Sequence, residues 1–373
     1  MTDSQEKTAI GIDASPVCNA TPTGIARYTK NLIDSLLARP EMGTQFEIDL
    51  LYRLSRFKKR DLRYLPDNSN VHWFLGNSLF RNRKYEIVHS TDTTVVDWKR
   101  TIKMATVYDL TIFIKENKKH IRTSKSFYDI KWEKMKNCAK RADAIIVISQ
   151  STKSDFLKFF NFHENNIFTV YPGIEPIYFD NNKPLLDRDE LKTLFKIKRE
   201  YLLFVGVISY RKNCLGLIQA YYQSGTYKDY DLVLAGGTGP GMDNIIGLID
   251  KLGLKEHVIL TGYVPDSVLP SLYNMAKAFV FPTFYEGFGI PIIEAMLCRT
   301  PVMIGNKGSA PEISDGLAVQ VNPCDTDSIA EGIKRVLQVD NEQIEKAYHH
   351  ARQFTWESSA GQILNIYRTL GDV

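Results

Sequence analysis

The stretch AFVFPTFYEGFGIPIIEAMLC, residues 278–298, reads as a strand, a glycine-bearing loop and a helix in direct succession. AFVFPT is apolar on both faces, as a strand covered by helices on both sides must be. Pro291 suits the first helical position, because the N–H it lacks is one that a helix start leaves without an intrahelical partner. The helix continues through IIEAMLC, with Glu294 in its first turn and Gly287 and Gly289 in the loop ahead of it. A strand feeding a helix in this way is half of a βαβ unit.

The pattern repeats on either side. In the second half, YLLFVGVI (201–208), DLVLAGG (231–237), VILTGYV (258–264), PVMIGN (301–306) and LAVQV (317–321) read as strands separated by helices. In the first half, TAIGID (8–13), FEIDLLY (46–52), VHWFL (71–75), YEIVHS (85–90), MATVYDL (104–110) and AIIVIS (144–149) do the same, with helical spacing over Ile25–Ala38. Two such sets predict an α/β protein of two doubly wound, Rossmann-like domains with parallel sheets, spanning residues 1–175 and 176–354. The boundary falls in VYPGIEPIYFDNNKP (170–184), which holds three prolines and a glycine. A last helix, about 355–373, is expected to pack back on the first domain. Ligands of such sheets bind at the carboxyl ends of the strands.

The chain has 373 residues, 44% hydrophobic and 24% charged, which is the composition of a globular protein of two domains. A net charge of +4 does not by itself argue for nucleic acid. The five cysteines form no CxxC pair, so a disulfide framework or zinc site is not expected and a reducing cytoplasm fits. The start, MTDSQEKTAIGID, carries no apolar run of signal-peptide length, and no apolar stretch approaches membrane-spanning length.

Glu286 and Glu294 are separated by seven residues in an apolar setting. One reading is that Glu294 complements the helix dipole and Glu286 lies on an exposed loop. The other starts from the glycine loop, which lets backbone N–H groups approach an anion at the helix N-terminus. Acids flanking an anion site are suited to accept hydrogen bonds from neutral hydroxyls on either side of it. A sugar nucleotide has that layout: hexose hydroxyls, diphosphate, ribose diol.

The segment resembles the E-x7-E signature of family-4 retaining glycosyltransferases, which have the GT-B fold, two Rossmann-like domains facing across a cleft. GIDAS near the start, TGIARYTKNL, VYPGIEPIYF, RKN (211–213), TGYVPDSVLPSLYNMAKAFVFPT (261–283) and RTPVMIGNKGSAPEISDGLAVQVNPCDTDSIAEGI (299–333) are similar to the family as well. The resemblance covers nearly the whole second half and both ends of the first. Residues of about 50–140, where the family holds its acceptor, match poorly.

The resemblance implies roles. Glu286 accepts from hydroxyls of the transferred hexose and Glu294 holds the ribose diol. Backbone N–H groups at Phe288 and Gly289, between Gly287 and Ile290, meet the diphosphate. Lys212 binds the diphosphate with Arg211 beside it, whereas alone the pair would read as a solvated helix start. Gly24 lets the β-phosphate come close. Val264, in TGYVPD, frames the nucleobase. The family has a histidine near the transferred sugar where this chain has Tyr108, followed by Asp109. Gly206-Val207 stands where the family often has Gly-Arg, which leaves Arg211 as the main guanidinium at the phosphates.

AGGTGPG (235–241) lacks the G-x-G-x-x-G spacing of a dinucleotide loop and reads as a turn near the base. The D-x-D strings at 187–189, 229–231 and 325–327 are read as incidental, so no metal is called for: Arg211, Lys212 and helix dipoles suffice for the leaving diphosphate. RLSRFKKRDLR (53–63) and residues 115–141 are basic with interleaved aromatics. They read either as solvated faces or as docking sites for an anionic bilayer bearing a lipid-linked acceptor.

The resulting expectation is a cytoplasmic hexosyltransferase, peripheral at the inner membrane face. It moves mannose from GDP-mannose onto a lipid-linked glycan of surface-polysaccharide or O-antigen assembly. The donor rests on the resemblance of TGIARYTKNL, RKN and YEGFGIPIIEAM to bacterial mannosyltransferases. A UDP-sugar donor is the alternative. A nucleotide-sugar epimerase or phosphorylase of similar build is a rival, as is a non-catalytic two-lobed sugar-binding protein. The last usually carries an export signal and has no need of Arg211–Lys212. A nicotinamide-dependent dehydrogenase lacks its glycine fingerprint here.

Overall fold

A computed structural model describes residues 7–19, 23–67, 69–75, 78–79, 83–96, 98–117, 124–179 and 186–371. The chain forms two compact units. The first comprises Met1–Tyr108, Lys125–Gly173 and Thr355–Val373, and the second Asp109–Ser124 and Ile174–Phe354. The chain thus passes between units at Gly173–Ile174, two residues before the boundary read from the sequence. Asp109–Ser124 groups with the second unit, which nothing in the sequence signals.

The first unit is built on eight strands: β1 (Thr8–Asp13), β2 (Phe46–Arg53), β3 (Asn70–Leu75), β4 (Ser78–Leu79), β5 (Ile87–Ser90), β6 (Ile102–Val107), β7 (Ala144–Val147) and β8 (Ile167–Thr169). Their order is β4-β3-β2-β1-β5-β6-β7-β8. All neighbours are parallel except β3 and β4, so the expectation of a wholly parallel sheet fails at one edge. A two-residue edge strand is too short for any periodic signal, and short edges limit pairing with other chains. Ile10, Ile12, Leu50, Leu51 and Ile87 on the central strands are all buried, as a sheet covered on both faces requires.

The helix Trp356–Gly371 belongs to this unit and packs against the helix Gly24–Leu37. Tyr367 on it meets a fully buried histidine, His89 of β5, with 2.8 Å between its hydroxyl and Nδ1. His89 Nε2 lies 2.8 Å from the Thr106 hydroxyl. Burial pushes the imidazole down to about 3, so it is neutral and both ring nitrogens are used.

The second unit carries six parallel strands: β9 (Tyr201–Val205), β10 (Asp231–Ala235), β11 (Val258–Gly262), β12 (Ala278–Phe281), β13 (Val302–Gly305) and β14 (Val319–Val321). The order β11-β10-β9-β12-β13-β14 reverses between β9 and β12. In such sheets that reversal is the point at whose carboxyl edge ligands bind. The loop after β9 carries Arg211 and Lys212, and the loop after β12 carries Glu286.

Candidate active site

β12 runs into the loop 282–289, and the helix Ile290–Leu297 follows. Gly289 is its N-cap at φ +100°, a left-handed backbone that glycine adopts without steric cost. The helix therefore starts one residue earlier than the sequence suggested. Pro291 is its second residue rather than its first, and Glu294 is its fifth, past the first turn. The loop is clamped from the segment after β13. The Ser309 hydroxyl lies 3.0 Å and 2.7 Å from the carbonyl oxygens of Glu286 and Phe288, and the Ser309 N–H donates to the Glu286 carbonyl at 3.2 Å. Phe288 is buried edge-on against Phe354.

Glu286 is 7% exposed and Lys212 8%, so neither is the solvated group a bare reading gives. Lys212 Nζ donates to both carboxylate oxygens of Glu286, at 2.7 and 2.8 Å. It also lies 4.9 Å from the centroid of the Phe281 ring, whose face attracts a cation. Arg211, more exposed, has a guanidinium nitrogen 4.0 Å from the same carboxylate. Burial raises the Glu286 carboxyl, but Lys212, Arg211 and hydrogen bonds from Lys212 and Thr283 together hold it below its usual range. Asn213 fixes the Arg211–Lys212 turn. Its backbone is left-handed at φ +58°, and its side-chain amide donates to the carbonyls of Pro282 (2.9 Å) and Pro323 (2.7 Å). One side chain thus ties the cation loop to the ends of β12 and β14.

Glu294 is 9% exposed and held by other chemistry. The Tyr273 hydroxyl, from the helix Leu269–Met275, donates to Glu294 Oε2 at 2.8 Å. Tyr178, in the turn Pro176–Tyr178 after the chain enters the unit, bonds to the same carboxylate. Burial, then the Glu294 charge, pushes both phenols far above their ordinary value, so they are neutral donors. Of the two acids read from the sequence, one is paired with cations and the other with phenols.

AGGTGPG lies against the loop after β9. Gly237 O accepts from the Ile208 N–H, and Pro240 O from Tyr210 N–H. A Cβ on Gly236 would stand 2.1 Å from the Gly206 carbonyl oxygen, so the glycine permits a close backbone approach. Gly236 N–H also donates to Gly262 O at the end of β11, two residues before the buried Val264. The glycines thus join the 206–210 and 262–264 loops at one sheet edge.

Of the remaining expected site residues, Gly24 and Tyr108 belong to the first unit and Asp109 to the second. Gly24 opens the first unit's helix Gly24–Leu37, whose N-cap Thr23 accepts from Ala26 N–H at 3.2 Å. Among the described residues, a Cβ on Gly24 would meet no atom within 4 Å. Tyr108, following β6, donates to the Thr91 carbonyl at 2.6 Å and stands edge-on to Tyr28. Asp109 is exposed and caps its own loop by accepting from Thr111 N–H.

The D-x-D strings do structural work. Asp187 and Asp325 are N-caps, and Asp231 is buried against Arg199. Among the described residues no cluster of His, Cys, Asp or Glu is arranged to hold a metal. Arg53, taken as the first residue of the basic segment 53–63, instead bridges Asp13 and Asp92 at the carboxyl ends of β1 and β5. The rest of that segment is a 3-10 stretch, Leu54–Leu62, with no buried residue. In the segment 115–141, residues 118–123 lie outside the described residues, and the helix Lys125–Arg141 exposes Phe127 and Ile130. No described helix is long and apolar enough to cross a membrane.

Residues 22–177 match the family described as Glycosyltransferase Family 4, and residues 187–354 match Glycosyl transferases group 1. The chain belongs to the GT-B glycosyltransferases. It is 33% identical over 238 residues to O-antigen chain mannosyltransferase B of Escherichia coli, a stretch that covers 61% of each chain. It is 29% identical over 228 residues to the serotype-specific mannosyltransferase WbdA of Escherichia coli, covering 59% of this chain and 28% of that one. The chain therefore spans about three fifths or less of these curated relatives. Sucrose-phosphate synthase from Thermosynechococcus elongatus has the same fold, with a TM-score of 0.74 at 19% identity over 98% of this chain and 99% of that one. WaaG, a glycosyltransferase of lipopolysaccharide biosynthesis, aligns with a TM-score of 0.67 at 14% identity over 96% of this chain and 99% of that one.

Tyr273, Tyr178, Asn213 and Ser309 carry the site's geometry and were not singled out from sequence. All four fall inside stretches that carry the resemblance: RKN, VYPGIEPIYF, 261–283 and 299–333. Tyr273 sits in SLYNM at helical spacing, where an aromatic reads as core.

Proposed function

We propose that this chain transfers a hexose, mannose from GDP-mannose, to a lipid-linked glycan, with retention of anomeric configuration. The observation that carries the proposal is the pairing of buried Glu286 with Lys212 at the edge where the sheet order reverses. A neutralised carboxylate there can accept from hexose hydroxyls without repelling an adjacent diphosphate. Lys212, Arg211 and the helix N-terminus at 287–291 supply the positive potential such an anion needs. The Glu294 carboxylate, oriented by the Tyr273 and Tyr178 hydroxyls, suits a neutral diol.

In the proposed reaction the acceptor hydroxyl oxygen bonds to the anomeric carbon on the face the diphosphate leaves. The carbon–oxygen bond to the diphosphate breaks, and the hydroxyl proton passes to the leaving phosphate oxygen. Lys212 and Arg211 stabilise the developing charge, an effect for which a single well-placed donor contributes about a hundredfold or more in rate. We propose that these charges serve without a metal ion. The mannosyl assignment is supported by the relatives in Escherichia coli.

The test is release of nucleoside diphosphate from GDP-mannose and from UDP-sugars, with and without a lipid-linked glycan acceptor, in EDTA. Acceptor-dependent release from GDP-mannose alone supports the reading. Release from a UDP-sugar alone replaces the donor. Release that needs no acceptor counts against a transferase.

A further inference from the structure

We propose that Arg53 and Asp92, at the carboxyl edge of the first unit's sheet, form a subsite for neighbouring hydroxyls of the acceptor glycan. This inference rests on the proposed function, which calls for a glycan acceptor.

The strand order of the first unit reverses between β1 and β5: β2 lies beyond β1 on one side and β6 beyond β5 on the other. A doubly wound sheet opens a crevice at the carboxyl ends of such a pair, and ligands bind there. Asp13 ends β1, Arg53 ends β2, and Asp92 lies two residues past β5. The Arg53 guanidinium donates to Asp92 twice, at 2.7 Å to Oδ1 and 3.2 Å to Oδ2, and its Nη2 also pairs with Asp13.

The loops that carry these groups are tied together. Asp92 Oδ1 accepts from Thr94 N–H at 2.7 Å. The Thr91 hydroxyl donates to the Asp13 carbonyl at 2.7 Å, and the Tyr108 hydroxyl to the Thr91 carbonyl at 2.6 Å. Ser15 N–H donates to Asp13 Oδ1 at 3.0 Å, while Ser15 Oγ accepts from Arg53 N–H at 2.8 Å. The pair is therefore oriented by the fold itself.

Stability does not call for this cluster. Removing an arginine and two carboxylates from water is costly, and a well-packed apolar replacement is often neutral or stabilising. The exposures point to a ligand instead. Asp13 is 1% exposed, whereas the Arg53 and Asp92 side chains keep 17% and 22%. The cluster thus has a buried base and reaches solvent through one donor and one acceptor.

The chemistry selects the ligand. Arg53 lies between two acids, so the cluster offers a phosphate no net positive charge, and the guanidinium repels a metal ion. Asp92 Oδ2 takes one hydrogen bond among the described residues, and a carboxylate oxygen accepts two. A neutral sugar ring matches this arrangement, with one hydroxyl accepting from Arg53 and its neighbour donating to Asp92.

The test is steady-state turnover of GDP-mannose, or of the UDP-sugar that replaces it, by the full chain. The acceptor probe is the best of the octyl glycosides of mannose, glucose, galactose and N-acetylglucosamine. Asp92→Asn should raise the acceptor KM roughly tenfold, the size of one charged hydrogen bond, and leave the donor KM as in the wild type. Loosening of the fold alone would move both constants. If Asp92→Asn does not fold, Tyr108→Phe carries the expectation at about threefold, since it frees the turn and keeps the carboxylate. An unchanged acceptor KM, or an equal rise in both constants, would overturn the inference and leave the transferase reading standing. A wild type that transfers to none of the glycosides, yet releases diphosphate with a lipid-linked glycan, would also overturn the inference alone. A wild type with no acceptor-dependent release at all would overturn the reading, and the inference with it.

Discussion

Lys212 and Glu286 lie 74 residues apart in the chain, yet the ammonium nitrogen is within 2.8 Å of both carboxylate oxygens. Both side chains are at least nine-tenths buried. Removing one partner of a buried pair strands the other charge, at a cost of about 3 kcal/mol or more. Lys212→Ala should therefore destabilise the second unit by that order in urea denaturation. Lys212→Met combined with Glu286→Gln should recover most of the loss but no activity. A Lys212→Ala chain as stable as the wild type would mean that the pair does not form.

The His89–Tyr367 contact makes docking of the helix Trp356–Gly371 sensitive to pH. The imidazole is lowered to about 3 in the folded chain by burial, from about 6.5 in an unfolded one. Its contribution is then fully present above about pH 6.5 and lost as pH falls from there towards 3. Hydrogen exchange over Trp356–Gly371 should accelerate, relative to the intrinsic rate, as pH falls through that window. His89→Gln should flatten the dependence. An equal dependence in both proteins would remove His89 as its origin.

Gly24 is helical, and no packing among the described residues demands a glycine. Gly24→Ala should thus be neutral or stabilise by about 0.5 kcal/mol through the unfolded chain. If a donor phosphate approaches this backbone in turnover, the same change should lower kcat by at least about tenfold, as small misplacements of reacting groups do. Unchanged kcat would release Gly24 from the donor.

The stretch Leu54–Leu62 exposes Phe57 and Leu62 among basic side chains, with Arg60 over the Phe57 ring. Of the two readings left open by the sequence, a solvated face or docking on an anionic bilayer, the second gives a test. Sedimentation with phosphatidylglycerol vesicles should exceed that with phosphatidylcholine and weaken as salt shortens the screening length below about 8 Å. Lys58→Glu with Lys59→Glu should abolish the difference. Equal, salt-insensitive binding to both vesicles would sink the docking idea.

Strands apolar on both faces were legible because burial between helix layers leaves a local signature. All six strands of the second unit were readable that way, with ends one to three residues too long. β4 and β8 were not: β4 has only two residues, and β8 is three residues without the apolar flank that LAVQV gives β14. The Glu286–Glu294 spacing was legible too, being local. What holds each acid was not, because Lys212 and Tyr273 reach them from other elements. Arg53 was misread for the same reason: a basic residue beginning a basic run gives no hint of Asp13 and Asp92 waiting at neighbouring strand ends.

The most direct test of the donor site is calorimetric binding of GDP in EDTA to the wild type, Glu294→Gln and Glu286→Gln. The account expects the wild type to bind and Glu294→Gln to bind at least about tenfold more weakly. Glu286→Gln should bind nearly as the wild type does while its turnover of GDP-mannose collapses. Equal binding by all three proteins with turnover intact, or no binding of any nucleoside diphosphate by the wild type, would contradict it.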